Sequence, residues 1–261
     1  MIVCYACGEG LGHLTRLRAY LHTIGHHEPV TVLTGSEFAA DPRVTGPHLV
    51  RRVPEDVNGL LRAVGATEFV VDAFPAGLYG ELDASVVPDG LRVTHLARLL
   101  RWPEYEPHLP DEPLRFDRTW LVEPVGHLPY LESVSASVEP IELVEPPAPP
   151  AGGPGGWLVV HAGPDEDIRE LVAYALDMAE LEGVRPTITL VAPRRPAGLA
   201  VRHLDVHPAW PLFAGAERIV TAAGCNVVRQ LAPWRSKHRV MPFPRRFDDQ
   251  YARAGRIRCG R

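Results

Sequence analysis

The chain opens on a short apolar stretch, Ile2 to Tyr5, that runs into Gly8-Glu9-Gly10-Leu11-Gly12-His13 and then Arg16. A strand, a glycine-rich turn and a helix in that order form a cradle for a phosphate group. The glycines let a ligand approach the backbone, and the helix start offers unpaired N–H groups with a partial positive charge. The usual dinucleotide fingerprint, Gly-x-Gly-x-x-Gly, would place its third glycine at position 13. His13 stands there instead, so a titratable imidazole sits at the mouth of the cradle. That points to a site for chemistry rather than a plain NAD pocket.

The same kind of unit recurs along the chain. Strands are expected at Ile2–Tyr5, Val30–Leu33, Leu49–Val53, Glu68–Phe74, Arg92–His95 and Thr119–Val122, with helices at Leu11–Ile24, Asp56–Val64 and Tyr79–Ala84. The stretch from Glu139 to Gly156 then carries six prolines (140, 146, 147, 149, 150 and 154) and four glycines, which suit a semi-rigid linker. Beyond it the alternation restarts. Strands are expected at Trp157–His161, Thr187–Val191, Arg202–Val206, Arg218–Thr221 and Arg239–Pro242, with helices at Asp165–Glu182 and Cys225–Leu231. Apolar, β-branched strands alternating with helices imply parallel sheets covered on both faces. The expected organisation is α/β with two Rossmann-like domains, 1–138 and 157–261, joined by the linker 139–156. The carboxyl ends of their strands would then face a central cleft.

Composition narrows the function classes. A chain of 261 residues with formal net charge −5 has no Lys/Arg run long enough for a nucleic-acid face. No stretch approaches the roughly 20 apolar residues of a membrane span, and the N-terminus lacks a basic region before an apolar core. The expected location is therefore cytoplasmic, with peripheral membrane contact left open. Cys4 and Cys7 make a Cys-x-x-Cys, but Cys4 falls in the first strand. Cys225 and Cys259 are too far apart to complete a zinc set, so buried strand and turn thiols are expected. No Asp-x-Asp signature appears, and no metal is expected.

Two further strand–glycine–helix junctions lie in the second half. His161-Ala162-Gly163-Pro164-Asp165 opens a helix whose first turn carries Asp165, Glu166 and Asp167. Those acids either serve the helix dipole or meet a ligand, and Gly163 is the stronger candidate contact. Thr221-Ala222-Ala223-Gly224-Cys225-Asn226 is the other junction. Together they could grip a diphosphate and its sugar.

Thr221 to Leu231, followed by Val240-Met241-Pro242-Phe243-Pro244 and Asp248-Asp249-Gln250, resembles the donor-binding half of GT-B glycosyltransferases, most nearly MurG-type N-acetylglucosaminyltransferases and related bacterial enzymes. Gly10-Leu11-Gly12-His13-Leu14-Thr15-Arg16 resembles the Gly-His loop in the first domain of the same group. The resemblance implies a nucleotide-sugar substrate, UDP- or dTDP-linked, with no cofactor. It implies donor contacts from Gly10, Gly12, Gly163, Gly224 and Asn226. Gln230 stands where the family has a glutamate on the ribose hydroxyls, and Asp249 and Gln250 would meet the hexose hydroxyls. The family also continues into a last helix that crosses back onto the first domain, whereas this chain stops at Arg261 soon after the motif.

Transfer to an acceptor hydroxyl calls for a base and for stabilisation of the leaving diphosphate. His13 is the candidate base, its alternative being a packing or capping role. Asp72, closing the apolar strand before Ala73-Phe74-Pro75, would orient His13 or bind acceptor, and otherwise caps. Arg16 reads as a phosphate contact or a surface arginine, and Glu9 as an exposed loop residue. His95, Arg98, Arg101 and Trp102 are candidates for an acceptor pocket, while Trp102 and Trp210 could stack on a sugar or base. The stretch Leu212 to Glu217, preceded by His207-Pro208-Ala209-Trp210, lies where backbone contacts read the nucleotide base in the family it resembles. A nucleotide-sugar hydrolase and a catalytically silent nucleotide-sugar-binding protein are the alternative readings.

Overall fold

The computed structural model describes residues 1–8, 10–149 and 152–259. Glu9, the linker's Pro150 and the terminal Arg261 lie outside the described residues. The chain divides into two compact units, Met1–Pro146 with Arg246–Asp248, and Pro147–Arg245 with Asp249–Arg261.

The first unit holds a seven-stranded parallel sheet. Its strands are β1 (Ile2–Tyr5), β2 (Thr31–Leu33), β3 (Leu49–Arg51), β4 (Glu68–Ala73), β5 (Arg92–Ala97), β6 (Arg118–Leu121) and β7 (Val138–Pro140), in the order β3-β2-β1-β4-β5-β6-β7. Helices α1 (Gly12–Thr23), α2 (Pro42–Thr45), α3 (Val57–Ala63), α4 (Trp102–Tyr105) and α5 (Leu128–Val134) accompany it. The central strands β1 and β4 are buried on both faces, which is why β1 reads as an apolar run and β4 as one broken only by Glu68 at its start and Asp72 near its end. Val3, Tyr5, Phe69 and Val71 pack with Leu61 of α3 in the core. Helix α3 starts where the Asp56 carboxylate accepts the Gly59 N–H at 2.7 Å. The sequence order of strands reverses between β1 and β4, and open α/β sheets bind ligands beyond the strand ends at such a point.

Three residues from late in the chain complete this unit. Phe247 packs edge-on against Phe74, Tyr105 and His108, with ring centroids 5.8, 5.5 and 5.3 Å away. Its carbonyl accepts the Arg101 N–H at 2.8 Å, and Asp248 pairs with Arg98.

The second unit repeats the plan with five parallel strands. These are β8 (Trp157–Val160), β9 (Ile188–Val191), β10 (Arg202–Leu204), β11 (Arg218–Ala222) and β12 (His238–Met241), in the order β10-β9-β8-β11-β12. Its helices are α6 (Asp165–Leu181), α7 (Cys225–Gln230) and α8 (Gln250–Arg258). On α6, Ile168, Leu171, Val172, Ala175 and Ala179 recur at helical spacing and pack on Trp157, Val159, Leu190 and Val220. Each large side chain in that stripe stabilises the unit by about 1.5–3 kcal/mol. The reversal of strand order falls between β8 and β11.

Three expectations need correction. The expected linker begins inside the first sheet, because Glu139 and Pro140 belong to β7 and pair with Trp120 and Leu121 of β6. Pro140 is tolerated there because β7 is an edge strand, where its missing N–H breaks no ladder bond. The helix expected over Tyr79–Ala84 does not form. Gly77 and Gly80 take φ of +78° and +90°, the Glu81 carboxylate accepts the N–H groups of Leu78 and Tyr79, and a short 3₁₀ turn follows at Ala84–Val86. Helices α2, α4 and α5 were not anticipated. Each is seven residues or fewer, too short to show a periodic face.

Candidate active site

Since β1 and β4 are neighbours, the turn after β1 and the end of β4 meet above the point where strand order reverses. His13 is the second residue of α1, and Arg16 follows three residues later on the same face. Both reach Asp72, the penultimate residue of β4. His13 Nδ1 lies 2.6 Å from Asp72 Oδ2. Arg16 donates from Nε to Oδ1 at 2.6 Å and from Nη2 to Oδ2 at 2.6 Å, a two-pronged guanidinium–carboxylate pair. Asp72 is fully buried, Arg16 is 2% exposed and His13 9%.

Electrostatics fixes the protons. Burial by itself would raise the Asp72 carboxyl, but the Arg16 guanidinium and the His13 ring outweigh it and hold Asp72 well below the usual carboxylate range. Burial lowers His13, Asp72 pulls the other way, and Arg16 and Arg98 add to the lowering. An ionised carboxylate only accepts hydrogen bonds, so the ring must carry its proton on Nδ1. The neutral imidazole then keeps its lone pair on Nε2. The 3.4 Å separation between Arg16 Nη2 and His13 Nδ1 is, with that tautomer, a contact between two donors and not a bond.

The surroundings hold this geometry. A Cβ on Gly8 would fall 2.3 Å from His13 Nε2, so glycine at position 8 makes room for the ring. Phe74 lies against the other side of the cluster, its centroid 5.6 Å from that of His13, and Arg98 sits over Phe74 at 5.3 Å. Immediately after Asp72 the backbone turns sharply. Ala73 takes φ of +68°, and the Phe74 N–H donates to the Asp72 carbonyl at 2.9 Å, forming a three-residue γ-turn of the strained hand. His95 Nε2 lies 3.3 Å from the Ala73 carbonyl, and burial keeps this imidazole neutral, lowered to about 3.

The sequence named His13 and Asp72, and the structure brings them together. Arg16 is not a surface side chain: it is 2% exposed and its guanidinium engages both Asp72 oxygens. The signal for this was available: a histidine and an arginine three residues apart on a helix, plus a lone acid in an apolar strand. His95 is fully buried and cannot line an acceptor pocket. Arg98 is paired with Asp248, Arg101 pairs with Glu104, and Trp102 stacks on His127 at 4.4 Å and 4°. Cys4 and Cys7 are buried free thiols.

In the second unit the turn after β8 and the turn after β11 lie on adjacent strands. His161 Nε2 is 3.2 Å from Asp167 Oδ2, and Arg245 donates to the same oxygen. Arg194 donates to Asp165 Oδ1 at 2.8 Å and to the Gly163 carbonyl at 3.3 Å. Asp165 and Asp167, two of the three acids in the first turn of α6, are therefore held by arginines. A Cβ on Gly163 would strike His161 Nε2 at 2.4 Å, so packing alone accounts for that glycine. Gly224 and Gly10 differ: a Cβ on Gly224 would meet nothing closer than Val227 Cγ1 at 3.9 Å, and one on Gly10 nothing within 4 Å. Gly12 is the first residue of α1 and Asn226 the second of α7. Arg253, 3% exposed, donates to the Ala223 carbonyl at 2.7 Å and anchors that turn from α8. Gln230 ends α7 half-buried. Asp249 caps α8 through Oδ1 to the Ala252 N–H at 2.9 Å, and Gln250 Oε1 accepts the Phe243 N–H at 3.0 Å. Trp210 packs in the core beside Leu158 and Phe213.

Among the described residues no cluster of three or more His, Cys, Asp or Glu could hold a metal, and no helix is long and apolar enough to cross a membrane.

No protein-family model matches the sequence, and no curated protein matches it. Solved structures do share its fold. The glycosyltransferase SnogD from Streptomyces nogalater aligns over 100% of this chain and 84% of its own, with TM-score 0.58 and 15% identity. The spinosyn rhamnosyltransferase SpnG, complexed with thymidine diphosphate, aligns over 99% and 84%, with TM-score 0.59 and 14% identity. The spinosyn forosaminyltransferase SpnP aligns over 99% and 83%, with TM-score 0.59 and 15% identity. Two parallel α/β sheets in one chain, shared over its whole length with glycosyltransferases, define a GT-B-like fold.

Proposed function

We propose that this chain is a glycosyltransferase that moves a hexosyl or N-acetylhexosaminyl group from a nucleotide-diphosphate donor to an acceptor hydroxyl. The observation that carries the proposal is the His13–Asp72 pair. Asp72 fixes the proton on Nδ1 and leaves Nε2 as a neutral base at the carboxyl end of the central strands. Nε2 takes the proton of the acceptor hydroxyl, the hydroxyl oxygen bonds to the anomeric carbon, and the bond from that carbon to the diphosphate breaks with its electron pair on the leaving oxygen. The Nδ1–H bond to Asp72 holds the ring in place as Nε2 takes up the proton.

The donor is assigned to the second unit. Gly224 is glycine without a packing reason, which suits close approach of a diphosphate to the start of α7, and Gly163 and Asn226 border the same strand ends. Gln230 would hydrogen-bond a ribose hydroxyl as a neutral partner. Asp249 retains Oδ2, and Gln250 its Nε2 hydrogens, for hexose hydroxyls. In the first unit Gly10, with nothing within 4 Å of an added Cβ, and Gly12, the first residue of α1, are the candidate donor contacts before His13. SpnG carries thymidine diphosphate, which favours a dTDP- or UDP-linked sugar here. The reading includes the MurG-type likeness of the sequence motifs, metal-independent transfer and a cytoplasmic location.

The test is thermal stabilisation of the chain by UDP-, dTDP- and GDP-sugars, followed by assay of free nucleotide. Stabilisation grows with ligand excess over Kd, so weak specific binding registers. A shift with one nucleotide class and acceptor-dependent release support transfer. Release without acceptor makes the protein a hydrolase, binding without release under any acceptor makes it a silent binder, and no shift with any nucleotide removes the donor site.

A further inference from the structure

We propose that Arg16 is a positioning residue that keeps His13 a neutral base by neutralising Asp72 in its place. The proposal deepens the glycosyltransferase reading, and its kinetic arm rests on that reading. A carboxylate as deeply buried as Asp72 needs a compensating cation, because an unpaired charge in a dry interior costs several kcal/mol. Two candidates touch it, His13 and Arg16. Were His13 the sole partner, its own proton would be the only charge to offset the carboxylate, so the imidazolium–carboxylate form would persist to higher pH, and an imidazolium has no lone pair with which to take a proton. Arg16 removes that demand. Its guanidinium is always charged, it engages both Asp72 oxygens at 2.6 Å, and it leaves His13 bound to Oδ2 through a single Nδ1–H.

The charges facing His13 agree with this division of labour. Asp72 comes from β4, Arg16 from α1 itself, and Arg98 from the segment after β5, where Asp248 holds it. With His13 neutral, Asp72 and Arg16 cancel; a proton added to His13 leaves the buried cluster with one uncompensated positive charge. The helical spacing makes the arrangement local, since one turn of α1 delivers both the base and the cation.

The deciding measurement is the titration of the His13 ring by NMR in the ligand-free protein, which requires no transfer activity. In Arg16→Gln the midpoint should rise by about one pH unit or more, while Arg16→Lys, which keeps the charge but not the fork, should stay nearer the wild type. A folded Arg16→Gln whose His13 titrates as in the wild type overturns the proposal. Should Arg16→Gln fail to fold, the ¹⁵N shifts of His13 in the wild type at pH 7 decide: a neutral ring protonated on Nδ1 is expected, and a doubly protonated or Nε2–H ring overturns the proposal. Where transfer is measurable, the acid limb of kcat/KM should move with the titration in Arg16→Gln. A shifted titration in a protein that transfers no sugar leaves the role of Arg16 standing and sinks the glycosyltransferase reading.

Discussion

Gly8 lies flat against the ring of His13, so close that a methyl group on it would sit 2.3 Å from both Cδ2 and Nε2. The glycine at this position is thus required by the imidazole itself. Gly8→Ala is expected to swing the ring off Asp72 and lower transfer by about 100-fold, since displacing a reacting group by about 1 Å costs that much. Gly126→Ala, in open surroundings, is the control and should retain full activity. Steady-state rates of the two variants check this.

Asp72→Asn breaks a buried ion pair and leaves the Arg16 guanidinium facing a neutral amide. The expected cost is about 3–5 kcal/mol of stability, read by urea unfolding. His13→Ala leaves the Asp72–Arg16 pair intact. Its stability should change far less, while turnover falls by about 10²–10⁴ and the stabilisation by nucleotide is retained.

Buried histidines set the acid limit. Burial lowers His95 to about 3, and His127 and His238 each to about 4. Their folded values lie below the ordinary 6.5, so as pH falls below about 6.5 the unfolded chain takes up protons that the folded chain refuses. Stability is therefore fully present above pH 6.5 and is lost on acidification, at up to about 1.4 kcal/mol per pH unit for each histidine, until the folded values are reached. Unfolding midpoints between pH 7.5 and 4.5 should show this slope. His127 stacks on Trp102 and neither ring nitrogen has a hydrogen-bond partner among the described residues, so His127→Phe should reduce the slope by about one histidine's share.

Gly156 precedes β8 with φ of +62°, and a Cβ there would meet the Thr187 carbonyl oxygen at 2.4 Å. Gly156→Ala combines backbone strain with a clash against a fixed carbonyl and should cost about 2 kcal/mol or more. Gly198, with φ of +77° but nothing within 4 Å, should cost only about 1–2 kcal/mol when changed to alanine. Thermal unfolding of both variants separates the clash from the strain.

Buried parallel strands announce themselves. Ile2–Tyr5 and Trp157–Val160 were legible because they are covered and apolar throughout, and Glu68–Ala73 because Phe69, Val70 and Val71 run apolar between Glu68 and Asp72. Strand β7 was not, because an edge strand of three residues ending in Pro140 looks like the proline-rich segment it leads into. The failed helix at Tyr79–Ala84 shows the converse: local spacing favoured a helix, but the Tyr5 hydroxyl accepts the Leu78 N–H from far along the chain, and Glu81 turns back onto the same loop's N–H groups. At the site, His13 was visible as a departure from a glycine pattern, and Asp72 as an acid in an apolar run. The commitment of Arg16 was legible only in part: its spacing from His13 on one helix is local, but its pairing with Asp72 depends on β1 and β4 being neighbours across more than fifty residues of chain. Gln250 was read as a ligand contact, yet it also accepts the Phe243 N–H, a bond that only the fold reveals.

Phe247 and its two neighbours belong to the first unit but emerge from the ribosome about a hundred residues after Pro146. At about 5–20 residues per second, that is an interval of about 5–20 seconds. During it the residues of all seven strands of the first sheet have been made, while the ring that Phe74, Tyr105 and His108 pack against in the finished structure, and the carboxylate that pairs with Arg98, have not. The first unit is completed only by residues that follow the second unit's strands, so the order of synthesis leaves the aromatic wall behind His13 incomplete until those strands have been made.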